Sequence, residues 1–153
     1  MANIAEEILI PGSLAEVWDL YFAPRTWPSW VDEFRAIEER DDVYPEQGGR
    51  LIWRSGPAGR GRVEETVLLH EPRRTHKISY VDPNSTGEQL TTFEIAGADS
   101  VRVKIELHYE LVRPNFLPFT DRFFIRPQMR GMLGRSLEGL RAEARDLAAE
   151  SQP

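Results

Sequence analysis

A carboxylate and a phenol on adjoining extended segments are the side chains best suited to chemistry in this sequence. Glu71-Pro72-Arg73-Arg74 reads as a four-residue turn, which aligns Leu69 with His76, Val67 with Ile78 and Glu65 with Tyr80. The apolar members of that set should face the interior, and Glu65 and Tyr80 go inward with them. A buried carboxyl resists ionisation unless it is hydrogen-bonded, and the Tyr80 hydroxyl is placed to supply that bond. Such a pair suits general acid/base work in an enolisation or dehydration, or the anchoring of a ligand without turnover. A plainer reading has Glu65 at a rim and Tyr80 filling the core. The same register logic at Ala96-Gly97 pairs Ile95 with Val101 and Phe93 with Val103, which adds Gln89 and Thr91 to the inner wall. Trp53 and Tyr109 complete that wall.

Other chemistries find little support. The chain has no cysteine, so disulfides, thiolate catalysis and Cys-containing zinc patterns are excluded. Of the three histidines, His70 and His108 fall on polar strand faces and His76 sits near a turn. None has the i, i+4 helical partner of a metal site. Gly56-Pro57-Ala58-Gly59-Arg60-Gly61 lacks the Lys-Ser/Thr ending of a phosphate-binding loop and reads as a hairpin turn. No metal and no cofactor are expected. A net charge of −6 argues against a nucleic-acid surface. Glu6 and Glu7 stand where an export signal needs an apolar run, and no apolar stretch reaches the roughly 20 residues of a membrane span. A cytoplasmic location without stable membrane insertion is the expectation, and the oligomeric state, monomer or dimer, stays open.

These residues must be positioned by a sheet. Ile4, Ile8 and Ile10 mark a first strand ending at Pro11-Gly12. Ser13-Leu14-Ala15-Glu16 has the form of a capping box, and Leu14, Val17, Trp18 and Tyr21 follow at helical spacing until Pro24. A second short helix or turn carries Trp27-Pro28-Ser29-Trp30-Val31. From residue 33 the period becomes alternating, with strands expected at 33–42, 49–55, 61–71, 74–82, 88–95 and 100–112. Phe34 and Ala36 compete with Ile37 for the inner face of the first of these. After Pro114 come Phe116, Phe119, Phe123 and Phe124, and then a long helix whose stripe is Met129, Leu133, Leu137, Leu140, Ala144 and Leu147. Gly131, Gly134 and Gly139 are costly inside it, which points to close approach against the sheet or to room for a ligand. The whole, residues 1–153, reads as one α+β domain of helix-grip type: a seven-stranded curved antiparallel sheet around a long C-terminal helix, with two short helices after the first strand. Met129 and Leu133 join the cavity candidates from the helix side.

The run Ile10-Pro11-Gly12-Ser13-Leu14-Ala15-Glu16-Val17-Trp18, followed by Trp27-Pro28-Ser29-Trp30-Val31, resembles the opening of the SRPBCC (START-like) superfamily. Glu71-Pro72, the strand ending Tyr109-Glu110-Leu111 and the helical tail extend the likeness over residues 3–149. Its nearest branch is similar to the polyketide cyclase/dehydrase and lipid-transport group. The resemblance implies a container for a hydrophobic small molecule and transfers no shared catalytic motif. Three functions are therefore carried. The first is intracellular binding of an apolar or aromatic molecule, lipid or polyketide-like. The second is a cyclase/aromatase-like enzyme using Glu65 and Tyr80. The third is a co-chaperone-like interaction domain with a collapsed cavity. Trp18, Trp27 and Trp30 either border the cavity or close the core. Phe116 to Phe124, with Arg122, Arg126 and Arg130, either packs under the helix or touches an anionic membrane while lipid is loaded.

Overall fold

The cleanest alternation in the chain builds the middle of the molecule. In a computed structural model that describes residues 2–112 and 124–150, Val101, Val103, Ile105, Leu107 and Tyr109 are all buried, while Arg102, His108 and Glu110 between them are exposed. This strand, β7 (Ser100–Leu111), pairs on one side with β1 (Ala2–Pro11) and on the other with β6 (Ser85–Ile95). The sheet continues through β5 (Thr75–Val81), β4 (Arg62–Glu71), β3 (Arg50–Ser55) and β2 (Phe34–Arg40), each pair antiparallel. Seven strands with one apolar face need a cover, and helix α3 (Arg126–Glu150) provides it by packing across β1 and the short helices α1 (Leu14–Tyr21) and α2 (Trp27–Trp30). This is the helix-grip arrangement.

Local chemistry sets the element ends. The capping box at α1 is formed: Ser13 Oγ accepts from the Glu16 amide at 3.1 Å and Glu16 Oε1 accepts from the Ser13 amide at 3.0 Å. Pro24 opens a 3-10 turn, Pro24–Thr26, that leads into α2. Helix α3 buries Leu133, Ser136, Leu137, Leu140 and Ala144 at helical spacing, whereas Leu147 at the end of the expected stripe is about half exposed. Burying one such leucine fully contributes about 1.5–3 kcal/mol.

The registers around both expected hairpins agree with the sequence at Glu65–Tyr80, Val67–Ile78, Phe93–Val103 and Ile95–Val101. Three local departures have physical reasons. A bulge between Val67 and Leu69 pairs Leu69 with Lys77 rather than His76, turns Leu68 and Leu69 to solvent, and brings His70 opposite His76. Strand β6 starts at Ser85, ahead of the expected 88, because Asp82 organises the turn: its Oδ1 accepts from the amides of Asn84 and Ser85 at 2.9 and 2.8 Å. In β2 a register shift between Phe34 and Ala36 lets both Phe34 and Ile37 pack on the core, so the competition between the two faces ends in a bulge. Of the aromatic segment, Phe116, Phe119, Phe123 and Arg122 lie outside the described residues; Phe124 is exposed. No helix among the described residues is long and apolar enough to cross a membrane.

Candidate functional site

Between the sheet's concave face and α3 lies a cavity of about 100 Å³. Every layer of the fold contributes to its wall: Tyr21 from α1, Trp27 and Trp30 from α2, Phe34 to Ile105 from the strands, and Met132, Leu133 and Ser136 from α3. The tryptophans are held by their own hydrogen bonds. Trp27 Nε1 donates to the Tyr21 carbonyl at 2.9 Å and Trp30 Nε1 to Thr26 Oγ1 at 3.0 Å. Trp18 instead packs against Phe22, His70 and Phe93, away from the lining.

Glu65 brings a carboxyl to this mostly apolar wall. It is enclosed by protein, and the surface it retains faces the cavity. Burial raises its pKa, against the hydrogen bond from Trp53 and the more distant charge of Arg60. Trp53 Nε1 donates to Glu65 Oε2 at 2.7 Å, a diagonal contact between β3 and β4, and the Trp53 ring stacks on Phe34 with centroids 5.7 Å apart. The expected Glu65–Tyr80 hydrogen bond is not formed. The two residues are register partners, but the phenol reaches past the strand to the β5–β6 turn, where Tyr80 OH and Ser85 Oγ are 3.1 Å apart.

The other sequence candidates divide between three places. Trp53, Glu65, Gln89 and Leu133 line the cavity. Thr91 is buried just behind it, its Oγ1 3.1 Å from Tyr21 OH, and Tyr80 and Tyr109 are buried outside the lining. Met129 lines a second cavity of about 280 Å³ nearer the start of α3. Asp32, Arg60 and Met132 belong to the walls of both cavities and so mark the throat, the boundary that the two cavities share.

Several lining groups were missed as site residues, Tyr21, Asp32 and Ser136 among them. His76 is buried on the inner face of β5, where the alternation through Ile78 and Tyr80 should have placed it. Its Nδ1 lies 3.0 Å from Nδ1 of His70, among the rings of Phe22 and Tyr44. Burial, and secondarily the neighbouring His70, depress its pKa to about 3, so it is neutral. His70 therefore faces inward beside Trp18 and Phe22 rather than on the polar face, a consequence of the bulge. Burial likewise raises Tyr21 to about 12 and Tyr44 well above the usual phenol range, with Glu65 adding to both. Nothing in the spacing of Tyr44, in the β2–β3 connection, marks it for the cavity. Arg60 is another; its hairpin position was legible, its inward reach was not. Among the described residues no three potential metal ligands gather.

This arrangement can hold a small apolar group, offer it a carboxyl whose pKa burial raises, and surround it with uncharged imidazole and phenol groups. Comparison with known structures returns the same fold. The protein XoxI from Bacillus cereus superposes with a TM-score of 0.75 at 17% identity, covering 97% of this chain and 99% of that one. A START superfamily protein from Mycobacterium smegmatis gives 0.71 at 14% identity, covering 92% and 97%. Norcoclaurine synthase from Thalictrum flavum, in complex with dopamine and hydroxybenzaldehyde, gives 0.66 at 15% identity, covering 99% and 88%. A comparison with curated proteins returns no match. Residues 1–145 match the family described as polyketide cyclase / dehydrase and lipid transport, and the chain belongs to that family.

Proposed function

We propose that this chain binds a small aromatic or otherwise apolar molecule between the sheet and α3, with the Glu65 carboxyl as its hydrogen-bonding anchor. One observation carries the reading: a cavity walled by Trp27, Trp30, Phe34, Ile78 and Leu133 contains the Glu65 carboxyl, fixed through one oxygen by Trp53. An apolar cavity of about 150 Å³ holds one benzene. The inner cavity, about 100 Å³, is smaller than that and takes part of a ring or a short acyl portion, and the rest of the ligand extends into the outer cavity. The two together fall in the range of about 300–1,000 Å³ of small-molecule sites. A full-length lipid chain fits this space poorly, so within the family's range the smaller ligands are favoured. The dopamine and hydroxybenzaldehyde held by the Thalictrum synthase are of this size class. An interaction domain with a collapsed cavity has less support from this geometry. The absence of cysteine agrees with a reducing, cytoplasmic setting.

An enzymatic reading rests on a separate observation. Glu65 has its pKa raised while His76 is held neutral in the same wall, which is the separation of titrating groups that acid/base catalysis uses. Tyr80, bonded to Ser85, takes no direct part in that reading.

Native mass spectrometry of the purified protein, beside mass spectrometry of its solvent extract and titration with monocyclic aromatic compounds, tests the proposal. One small apolar or aromatic molecule per chain is the expected result. An empty protein that takes up none of the compounds would overturn it.

A further inference from the structure

The throat between the two cavities holds a hydrogen-bond donor with no acceptor. Arg60 sits in the β3–β4 hairpin, which is fixed by hydrogen bonds: the Ser55 amide donates to the Gly61 carbonyl at 2.8 Å, and the Gly61 amide to Ser55 Oγ at 2.7 Å. Its side chain is only 10% exposed. The Nε–H donates to Asp82 Oδ2 at 3.1 Å, and the guanidinium carbon lies 4.3 Å from the centroid of the Tyr80 ring. Nη2, which shares the guanidinium's outer edge with Nε, is buried and has no hydrogen-bond partner. Arg135 shows what that edge does when it is filled: its Nε and Nη2 donate to the two oxygens of Asp32 at 2.9 and 3.1 Å. Asp82 cannot do the same for Arg60, because its Oδ1 already accepts from the amides of Asn84 and Ser85. A buried donor left this way carries a desolvation cost that a ligand acceptor removes.

We propose that Arg60 forms an oxygen-binding subsite in the throat, and that the ligand carries a neutral oxygen acceptor between its inner and outer parts. This rests on the cavity being a ligand site. The charge inventory selects the neutral class. Asp82 already balances Arg60, and Asp32, the other charged residue of the throat, is balanced by Arg135. A ligand carboxylate would place a second anion beside Asp82 around one guanidinium. A ketone, ester or ether oxygen takes the Nη2 hydrogen without that repulsion.

Three isosteric probes test the subsite: acetophenone, α-methylstyrene, in which a methylene replaces the ketone oxygen, and benzoate. Affinities are measured by protein-observed NMR titration. Acetophenone should bind about tenfold more tightly than α-methylstyrene, as expected for a hydrogen bond to a charged donor. Benzoate should bind more weakly than the ketone. Replacing Arg60→Met together with Asp82→Asn removes both charges, so no buried carboxylate is left unpaired. In that double variant the ketone preference over α-methylstyrene should vanish; Asp82→Asn alone should keep the preference. If the double variant does not fold, the Arg60 guanidinium resonances of the wild-type protein decide, since they should shift with acetophenone and not with α-methylstyrene. Equal binding of ketone and alkene, a preference that survives the double variant, unmoved Arg60 resonances, or tightest binding of benzoate would each refute the subsite while leaving the cavity reading intact. Failure of all three probes to bind would overturn both.

Discussion

Lowering the pH from 7 to 5 should cost this protein stability, and the largest share falls to His76. The ring is 4% exposed and is faced by His70 from β4, Phe22 from α1, Tyr44 from the β2–β3 connection and Thr91 from β6. Of these, none carries a negative charge to favour the imidazolium, and a protonated His70 would oppose it. The folded state holds His76 neutral down to about pH 3, from an ordinary value of 6.5. Between those values the unfolded chain binds the extra proton and the folded chain does not, so stability falls as pH falls. At pH 5 the unfolded value lies roughly 1.5 units above the solution pH, which at 1.36 kcal/mol per unit amounts to about 2 kcal/mol. Urea unfolding of the wild-type protein and of His76→Gln at pH 7 and pH 5 measures this. The surface carboxylates contribute to both proteins and cancel, and making the comparison in a His70→Gln background removes the titration of His70, whose pKa burial also lowers and which is coupled to His76. The protein that keeps His76 should lose about 2 kcal/mol more than the variant over that interval. An equal loss in the two proteins would refute the buried, neutral histidine and with it the inward face assigned to β5.

Glu65→Gln should act with the opposite sign. A carboxyl whose pKa is raised in the fold keeps its proton where the unfolded chain has lost it, so its contribution to stability is greatest at low pH and declines as pH rises through the folded value. Stability curves of Glu65→Gln and wild type should therefore converge at acid pH and separate in the variant's favour as pH rises; parallel curves would contradict the raised value. Two glycine replacements in α3 should also diverge. At Gly139 a Cβ would meet the Trp30 backbone at 2.9 Å, so Gly139→Ala should destabilise by about 1–3 kcal/mol despite its better helix propensity. Gly134 has nothing within 4 Å, and Gly134→Ala should gain up to about 1 kcal/mol in the same denaturation assay.

Elements were legible where the pattern is local and periodic. The alternation of β7, the capping box and the long apolar stripe of α3 each follow from a few neighbouring residues, and the tight turns then fixed the Glu65–Tyr80 and Phe93–Val103 registers. The site was less legible because side chains choose partners beyond their register position. Tyr80 is opposite Glu65 in the ladder, yet its phenol bonds to Ser85, which belongs to the turn where four donors converge on Asp82. Bulges broke the alternation twice, once exposing Leu69 and once bringing both Phe34 and Ile37 inward. The glycines of α3 pointed to close approach against the sheet or to room for a ligand; at Gly139 the close neighbour is Trp30 of α2. The inward reach of Arg60 was not legible, since a hairpin arginine reads as solvated until the fold covers it.

The electrostatics of the two cavities point to where any chemistry must originate. Burial holds Glu65 toward its protonated form, His76 toward its neutral form, and Tyr21 and Tyr44 as phenols. The throat charges are matched in pairs. A neutral ligand enters without disturbing this balance, whereas ionising Glu65 would cost desolvation and repel any negative charge developing on Tyr21 or Tyr44. Glu65 can therefore act as a base only on a ligand whose proton is made acidic by its own structure, such as one beside a carbonyl held by Arg60. A ligand lacking such a proton would be bound and released unchanged in the same cavity. Carrier and catalyst are then one binding geometry, and the Glu65→Gln variant separates them, because the amide keeps an acceptor for Trp53 and a donor for the ligand but cannot take a proton.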